Sequence, residues 1–413
     1  MSELRGACIF GQSGGPTSVI NASASGVFQE ALKQDCITAV YGAAHGIKGI
    51  LNEKFYDMGK EDIKELELLK TTPSSALGSV RYKLKKVEDD DTDYKRLLEV
   101  FKKYNIRYFF YNGGNDSMDT CNKISKYMQF VGYECRVIGV PKTIDNDLFG
   151  TDHCPGYASA ARYIATSTME IYQDARVYDT GMVTILEVMG RNAGWLTAAT
   201  ALASYKGAGP DLIYLPELPF DVEKFLADTK KIYVANKKVI IAVSEGAKTA
   251  QGKYIAETGS ELDKDAFGHS QLGGTASILA NMVKAVIGCK VRDIEFSLLQ
   301  RCAAHVASAT DVNESFMAGQ VAVKSAVAGM SDYMVAFERA PGNEYKCEIK
   351  LIKLDEVANA EKTVPLEWIN EEGNGVTDDF IKYALPLIQG DSCPPMEDGL
   401  PRFAKLKKVL ATK

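Results

Sequence analysis

A chain of 413 residues, 46% hydrophobic and 25% charged, has enough apolar material for two or three cores and the composition of a large globular enzyme. Its net charge of −6 lacks the basic excess that nucleic-acid binding draws on, and no apolar run approaches the roughly 18 residues of a membrane span, so neither nucleic acid nor membrane is an expected partner. Nine cysteines without a C-x-x-C pair and four histidines away from metal-ligand spacing suggest neither a zinc site nor a disulfide framework, so any metal should be hard and oxygen-bound. The first residues, Met1 to Gly6, lack the basic opening and apolar stretch of a signal peptide, which gives a cytoplasmic expectation.

In chain order, Ala7 to Phe10, Thr38 to Tyr41, Arg107 to Tyr111 and Val137 to Val140 read as buried strands. Helical apolar spacing at Ser18 to Lys33 and Asp93 to Lys103 separates them. After a helical stretch from Tyr157 to Tyr172 the pattern restarts, with strands at Met182 to Glu187, Leu212 to Leu215 and Val239 to Val243. This alternation predicts an α/β protein of two doubly wound, mostly parallel-sheet domains, with ligands met at the carboxyl ends of the strands. Lys248 to Asp265 is a polar excursion, Ala276 to Ile287 reads as a helix, and Tyr333 to Glu338 with Cys347 to Leu354 reads as a hairpin.

Three strand ends of the first unit carry chemistry. Gly11-Gln12-Ser13-Gly14-Gly15-Pro16-Thr17 follows the first strand, and its glycines let backbone amides approach an anion ahead of a helix start. It matches neither the dinucleotide fingerprint nor the Walker lysine motif. Asn112-Gly113-Gly114-Asn115-Asp116-Ser117 repeats the arrangement, although Asn115 or Asp116 could serve simply as an N-cap. Pro141-Lys142-Thr143-Ile144-Asp145-Asn146-Asp147 places one cation and two carboxylates in seven residues, as phosphoryl transfer requires. In the second unit, Glu187-Val188-Met189-Gly190-Arg191 sets an arginine at a strand end, facing an anion or pairing on the surface.

These motifs, with those at 78–82, 244–246 and 268–274, resemble the 6-phosphofructokinase family, and more closely its pyrophosphate-dependent members, across roughly the first three quarters of the chain. The resemblance implies that Asp145 is the base for the sugar 1-hydroxyl, that Thr143 and Asp147 position the reacting centre, and that Lys142 stabilises the transferring charge. It implies donor contacts at Gly14, Gly15, Arg81, Gly114 and Ser117, and sugar-phosphate contacts at Thr143, Ile144, Asp145, Met189, Gly190, Arg191, Glu245, His269 and, by a looser match, Arg301. It implies Mg²⁺ as cofactor, fructose 6-phosphate and pyrophosphate as substrates, and a homodimer or homotetramer with the active site in the interdomain cleft. Residues 1–156 with about 268–330 would form the donor domain, and 157–267 with about 331–413 the sugar-phosphate domain.

Asp116 and Lys142 stand where ATP-dependent members usually carry glycine. A carboxylate about 4 Å from a nucleotide α-phosphate would cost on the order of 4 kcal/mol at an effective dielectric near 20, while Lys142 can neutralise a small diphosphate. Three departures from the family pattern are visible. Asn115 replaces the usual metal-linked aspartate, Leu272 and Met182 replace arginines for the sugar 6-phosphate, and Leu298 replaces a tyrosine. Lys264 of a neighbouring subunit is a further candidate cation for that phosphate. An ATP-dependent enzyme on the same scaffold and a non-catalytic sugar-phosphate sensor are the alternative readings.

Overall fold

The computed structural model describes residues 4–258, 272–342, 344–357 and 360–412. Strands β1 (Gly6–Gln12), β2 (Ile37–Ala43), β3 (Phe55–Asp57), β4 (Ile106–Gly113) and β5 (Arg136–Pro141) belong to the first sheet, and β6 (Met182–Val188), β7 (Leu212–Tyr214), β8 (Lys238–Ser244) and β9 (Lys290–Glu295) form the second. Two late strands, β10 (Tyr333–Arg339) and β11 (Cys347–Lys353), return to the first sheet, whose order is β11-β10-β5-β4-β1-β2-β3. Its interior pairs are parallel, with antiparallel β3 and β11 closing its two edges. The second sheet, β7-β8-β6-β9, is parallel throughout.

The strand sequences explain this placement. Every residue of β1 and of β6 is buried, as expected of strands covered on both faces. Helix Ile20–Ala31 lies almost wholly in the interior because small residues let another helix approach. A Cβ on Gly26 would fall 2.1 Å from the Phe316 carbonyl, and one on Gly319 only 2.2 Å from that of Ser23. The second helix of that pair, Ala309–Val327, also carries Asp311, whose carboxylate accepts from the amides of Gly156 and Ser159 (both 2.9 Å) at the start of helix Tyr157–Ala175. That bond set ties the first unit to the second.

The division of late segments differs from the expected one. β9 joins the second sheet, although the sequence pattern places 268–330 in the first unit; β10 and β11 join the first, although it places 331–413 in the second. The middle of that tail, through Val364, Ile369, Phe380, Tyr383 and Leu387, packs in the second unit's core, and Tyr345 before β11 packs against it. Thereafter the chain crosses back, and the Ala411 amide donates to the Phe55 carbonyl at 2.9 Å. Periodicity identifies a strand but not its partner; here the pairing Tyr333↔Ile138 decides. Among the described residues, no helix is long and apolar enough to cross a membrane.

Candidate functional site

The loop after β1 is built for close approach. The Ser13 amide donates to Asn112 at the end of β4 (2.9 Å), Gly14 takes a left-handed φ of 75°, and the Ser79 hydroxyl donates to the Gly14 carbonyl (2.6 Å). Gln12 and Asn21 organise the neighbouring segment. Asn21 Oδ1 accepts from Gln12 Nε2 and from the Ala76 amide (each 2.9 Å), and the Leu77 amide donates to Gln12 Oε1 (3.0 Å). This buried network fixes the segment at 76–77, and the Gly14 amide donates to the Val80 carbonyl (3.3 Å) next to Arg81, contacts for which the motif pattern gave no signal.

Lys142 Nζ reaches the same loop, donating to the Gly15 carbonyl at 2.6 Å. The side chain is only 3% exposed, and burial pulls its pKa down to about 8, with Asp145 acting against that pull and Arg301 and Arg81 adding to it. Arg301, expected to contact the sugar phosphate, also borders the donor loop: a Cβ on Gly15 would meet its Nη1 at 3.2 Å, and its charge acts on Asp145 as well. Gly14, Gly15, Arg81, Lys142 and Arg301 therefore form one cationic, amide-rich surface.

At the next strand end, helix Asn115–Phe130 is capped by Gly114, so neither Asn115 nor Asp116 is the N-cap. Ser117 lies under Gly113, where any Cβ would fall 2.0 Å from its Oγ. Asn115 Nδ2 donates to Asp147 Oδ2 at 3.0 Å, while Asn115 Oδ1 and Asp147 Oδ1 are buried with no hydrogen-bond partner. Asp116 is at the rim, its side chain 38% exposed and 3.8 Å from Lys83 Nζ.

The turn holding Asp145 is locked from beneath. The Asp145 amide donates to Thr143 Oγ1 (3.1 Å), and Asn146, fully buried at a left-handed φ of 56°, donates to the Tyr383 hydroxyl (2.8 Å) and accepts from the Cys154 amide (2.8 Å). Burial raises the Asp145 pKa against the pull of Lys142 and Arg191. Asp147 is pushed up to about 7, first by burial and then by the negative charges of Asp145 and Glu361. Ile144 turns its side chain into the second unit's core, leaving only its backbone for a ligand.

Across the cleft, the loop after β6 is fixed to β8. The Gly190 amide donates to Glu245 Oε1 (3.2 Å), and the Ser244 hydroxyl donates to the Gly190 carbonyl (2.6 Å). Gly190 has φ 136°, and a Cβ there would lie 2.5 Å from the Ala193 carbonyl, which accounts for glycine beside Arg191. The Met189 amide donates to Gln300 Oε1 (3.2 Å), coupling this loop to the helix carrying Arg301. Burial pushes Glu245 up to about 7. His269 and Lys264 lie outside the described residues.

Among the described residues, one group of three His, Cys, Asp or Glu side chains brings ligand atoms within 4.8 Å of one another: His153, Glu314 and Cys347. His153 is already held by Asp152 through Nδ1 (2.8 Å) and by Glu314 through Nε2 (2.6 Å), and it stacks on Phe337. These carboxylates raise its pKa despite burial, and burial pushes the Cys347 thiol up to about 12. The set is an ion cluster bracing the β10–β11 hairpin, and its thiol is a poor ligand for a hard cation.

The chain resembles known proteins over nearly its full length. A family model described as Phosphofructokinase matches residues 8–295. The chain is 44% identical over 403 residues to a protein of Halomonas elongata named pyrophosphate–fructose 6-phosphate 1-phosphotransferase, covering 97% of this chain and 96% of that one. A protein of the same name from Methylococcus capsulatus is 43% identical over 408 residues, covering 98% and 96%. The crystal structure of a pyrophosphate-dependent phosphofructokinase from Nitrosospira multiformis superimposes with a TM-score of 0.90 at 42% identity, covering 98% of each chain. On the fold, the ordered motifs and these matches, the chain belongs to the phosphofructokinase family.

Proposed function

We propose that the protein catalyses reversible phosphoryl transfer from pyrophosphate to the 1-hydroxyl of fructose 6-phosphate, giving fructose 1,6-bisphosphate and phosphate. The observation that carries this reading is the placement of Asp145 between the cationic surface of Gly14, Gly15, Arg81, Lys142 and Arg301 and the sugar-facing loop Met189-Gly190-Arg191 with Glu245. Relatives at 43–44% identity carry the corresponding activity in their names.

In this mechanism Asp145 takes the proton of the attacking hydroxyl, and its raised pKa brings it nearer the operating pH, where a general base works best. Such assistance is worth about 10² to 10⁴ in rate. Lys142, Arg81 and Arg301 neutralise the diphosphate and the departing phosphate, while the amides of Gly15 and Gly114 supply uncharged donors. Thr143 holds the Asp145 turn, and Arg191, Glu245 and His269 orient the sugar phosphate.

The residues present fit a hard cation. Asn115 Oδ1 and Asp147 Oδ1 are two buried acceptor oxygens without hydrogen-bond partners beside the donor site. These residues would hold Mg²⁺, which when bound would offset charge on the transferring phosphoryl group. A neutral ligand at 115 leaves more of that task to Lys142 and to the diphosphate itself.

Donor choice rests more on Lys142 than on Asp116. With Asp116 at the rim near Lys83, the effective dielectric moves toward that of water and its penalty on a nucleotide falls toward about 1 kcal/mol. Lys142, by contrast, is buried beneath the donor loop and fills space that an α-phosphate would need. Purified protein with Mg²⁺ should turn over with pyrophosphate and barely with ATP in an assay coupled to fructose 1,6-bisphosphate; the opposite preference would sink the donor assignment. The reaction belongs in the cytoplasm, and a homodimer or homotetramer supplying Lys264 from a neighbouring subunit would add a cation for the sugar 6-phosphate.

A further inference from the structure

Glu361 lies beyond the residues that the family model matches, on a short strap that crosses the cleft. The strap is pinned through its backbone on both sides. Residue 361 bridges to Leu148, the Lys362 amide donates to the Asp147 carbonyl (2.8 Å), and the Lys362 carbonyl accepts from Trp195 Nε1 (3.0 Å). Two positions on, the Val364 amide donates to Glu217 Oε1 (2.9 Å), which also accepts from the Gly194 amide (2.7 Å). The strap thus joins the Asp145 turn to the Arg191 loop, and the exposed Glu361 carboxylate stands between them, accepting from Asn192 Nδ2 at 3.4 Å.

Its surroundings restrict its role. The charges acting most strongly on Lys142 are Asp145, Arg301, Asp147 and Arg81, whereas Glu361 acts on Asp145 and Asp147. The carboxylate therefore lies beside the turn of Asp145 and Asp147 on one side and, through Asn192, beside Arg191 on the other, in the interval a substrate must span to touch both Asp145 and Arg191. A carboxylate there repels phosphate but accepts readily from hydroxyl groups.

We infer that Glu361 is a substrate-binding residue, accepting a hydrogen bond from a hydroxyl of the sugar between its reacting and phosphorylated ends. This rests on the proposed function. A hydrogen bond to a charged group corresponds to roughly 10- to 100-fold in affinity.

The test compares wild type, Glu361→Ala and Glu361→Gln in steady-state assays with fructose 6-phosphate, pyrophosphate and Mg²⁺. Glu361→Ala should raise KM for the sugar phosphate about tenfold or more and leave KM for pyrophosphate within about twofold, with Glu361→Gln between wild type and Ala. Fructose 6-phosphate analogues each lacking one hydroxyl should include one whose loss is large for wild type and nearly absent for the Ala variant. Because the strap is held through its backbone, both variants should fold; if Ala does not, the same KM split and analogue series are read on Gln. An unchanged sugar KM, or equal rises in both KM values, would overturn the inference. Failure of the wild type to use fructose 6-phosphate would instead overturn the proposed function.

Discussion

Asn115 donates its side-chain amide to the Asp147 carboxylate across 3.0 Å, so the position where the family usually offers a second carboxylate here acts as a hydrogen-bond donor. The contact lets Asp147 be buried without a metal, and rotating the amide would present Asn115 Oδ1 when a cation arrives. Asn115→Asp replaces the donor with a like charge. In metal-free buffer it should destabilise the protein by on the order of 1–3 kcal/mol, and added Mg²⁺ should raise its melting temperature by more than that of wild type. Thermal melts with and without Mg²⁺ decide; equal responses would remove Asn115 and Asp147 from metal binding.

Asp145→Asn keeps the shape of the turn, whose lock is made by Thr143, Asn146 and Tyr383. Turnover should fall by about two orders of magnitude or more, while calorimetry should still register sugar-phosphate binding. Near-normal turnover would remove Asp145 as the base.

Much of this site was legible because strand ends, glycine pairs and clustered charges lie close in sequence. Lys142, Asp145 and Arg191 occur within motifs, and buried strands such as β1 and β6 announce the junctions where those motifs fall. The remaining contacts of the site join residues far apart in sequence. Tyr383 supports Asn146 from 237 positions away, Gln300 holds Met189 across 111, and Glu361 reaches the Asp145 turn only because the strap pairs with Leu148. No local period encodes such partners. The same reason puts β9 and the β10–β11 hairpin in the units opposite to those expected, and it brings Arg301 beside Gly15 as well as Asp145.

Donor preference should respond unequally to the two residues that stand in for glycine. Lys142→Gly removes a buried cation and opens space under Gly15, so pyrophosphate turnover should drop by about two orders of magnitude. Asp116→Gly at the rim should change ATP use by less than about tenfold. In assays run with each donor separately, Lys142→Gly should show most of the gain in ATP-dependent activity, and the double variant should exceed it by less than about tenfold. Comparable ATP gains from the two single changes would show that the rim carboxylate weighs as much as the buried lysine.

Stability should fall as pH rises from about 6 to 8. Glu187 is pushed up to about 7, chiefly by burial, as are Glu245 and Asp147, while Asp152 and Glu314 raise the pKa of His153. In each case the folded protein binds the proton more tightly than the unfolded chain, so the stabilisation is present at lower pH and is lost as pH climbs through the folded pKa. Lys142, lowered to about 8, acts in the opposite sense but only above that pH, outside this window. Melting temperature without ligands should therefore drop by a few degrees between pH 6 and 8. Glu187→Gln isolates one contribution. The amide oxygen can still accept from the Ala276 amide, now 2.8 Å from Glu187 Oε2, but the side chain cannot ionise. The variant should match or trail wild type at pH 6, gain on it at pH 8 and show a flatter profile; parallel profiles would mean that Glu187 does not titrate in this range.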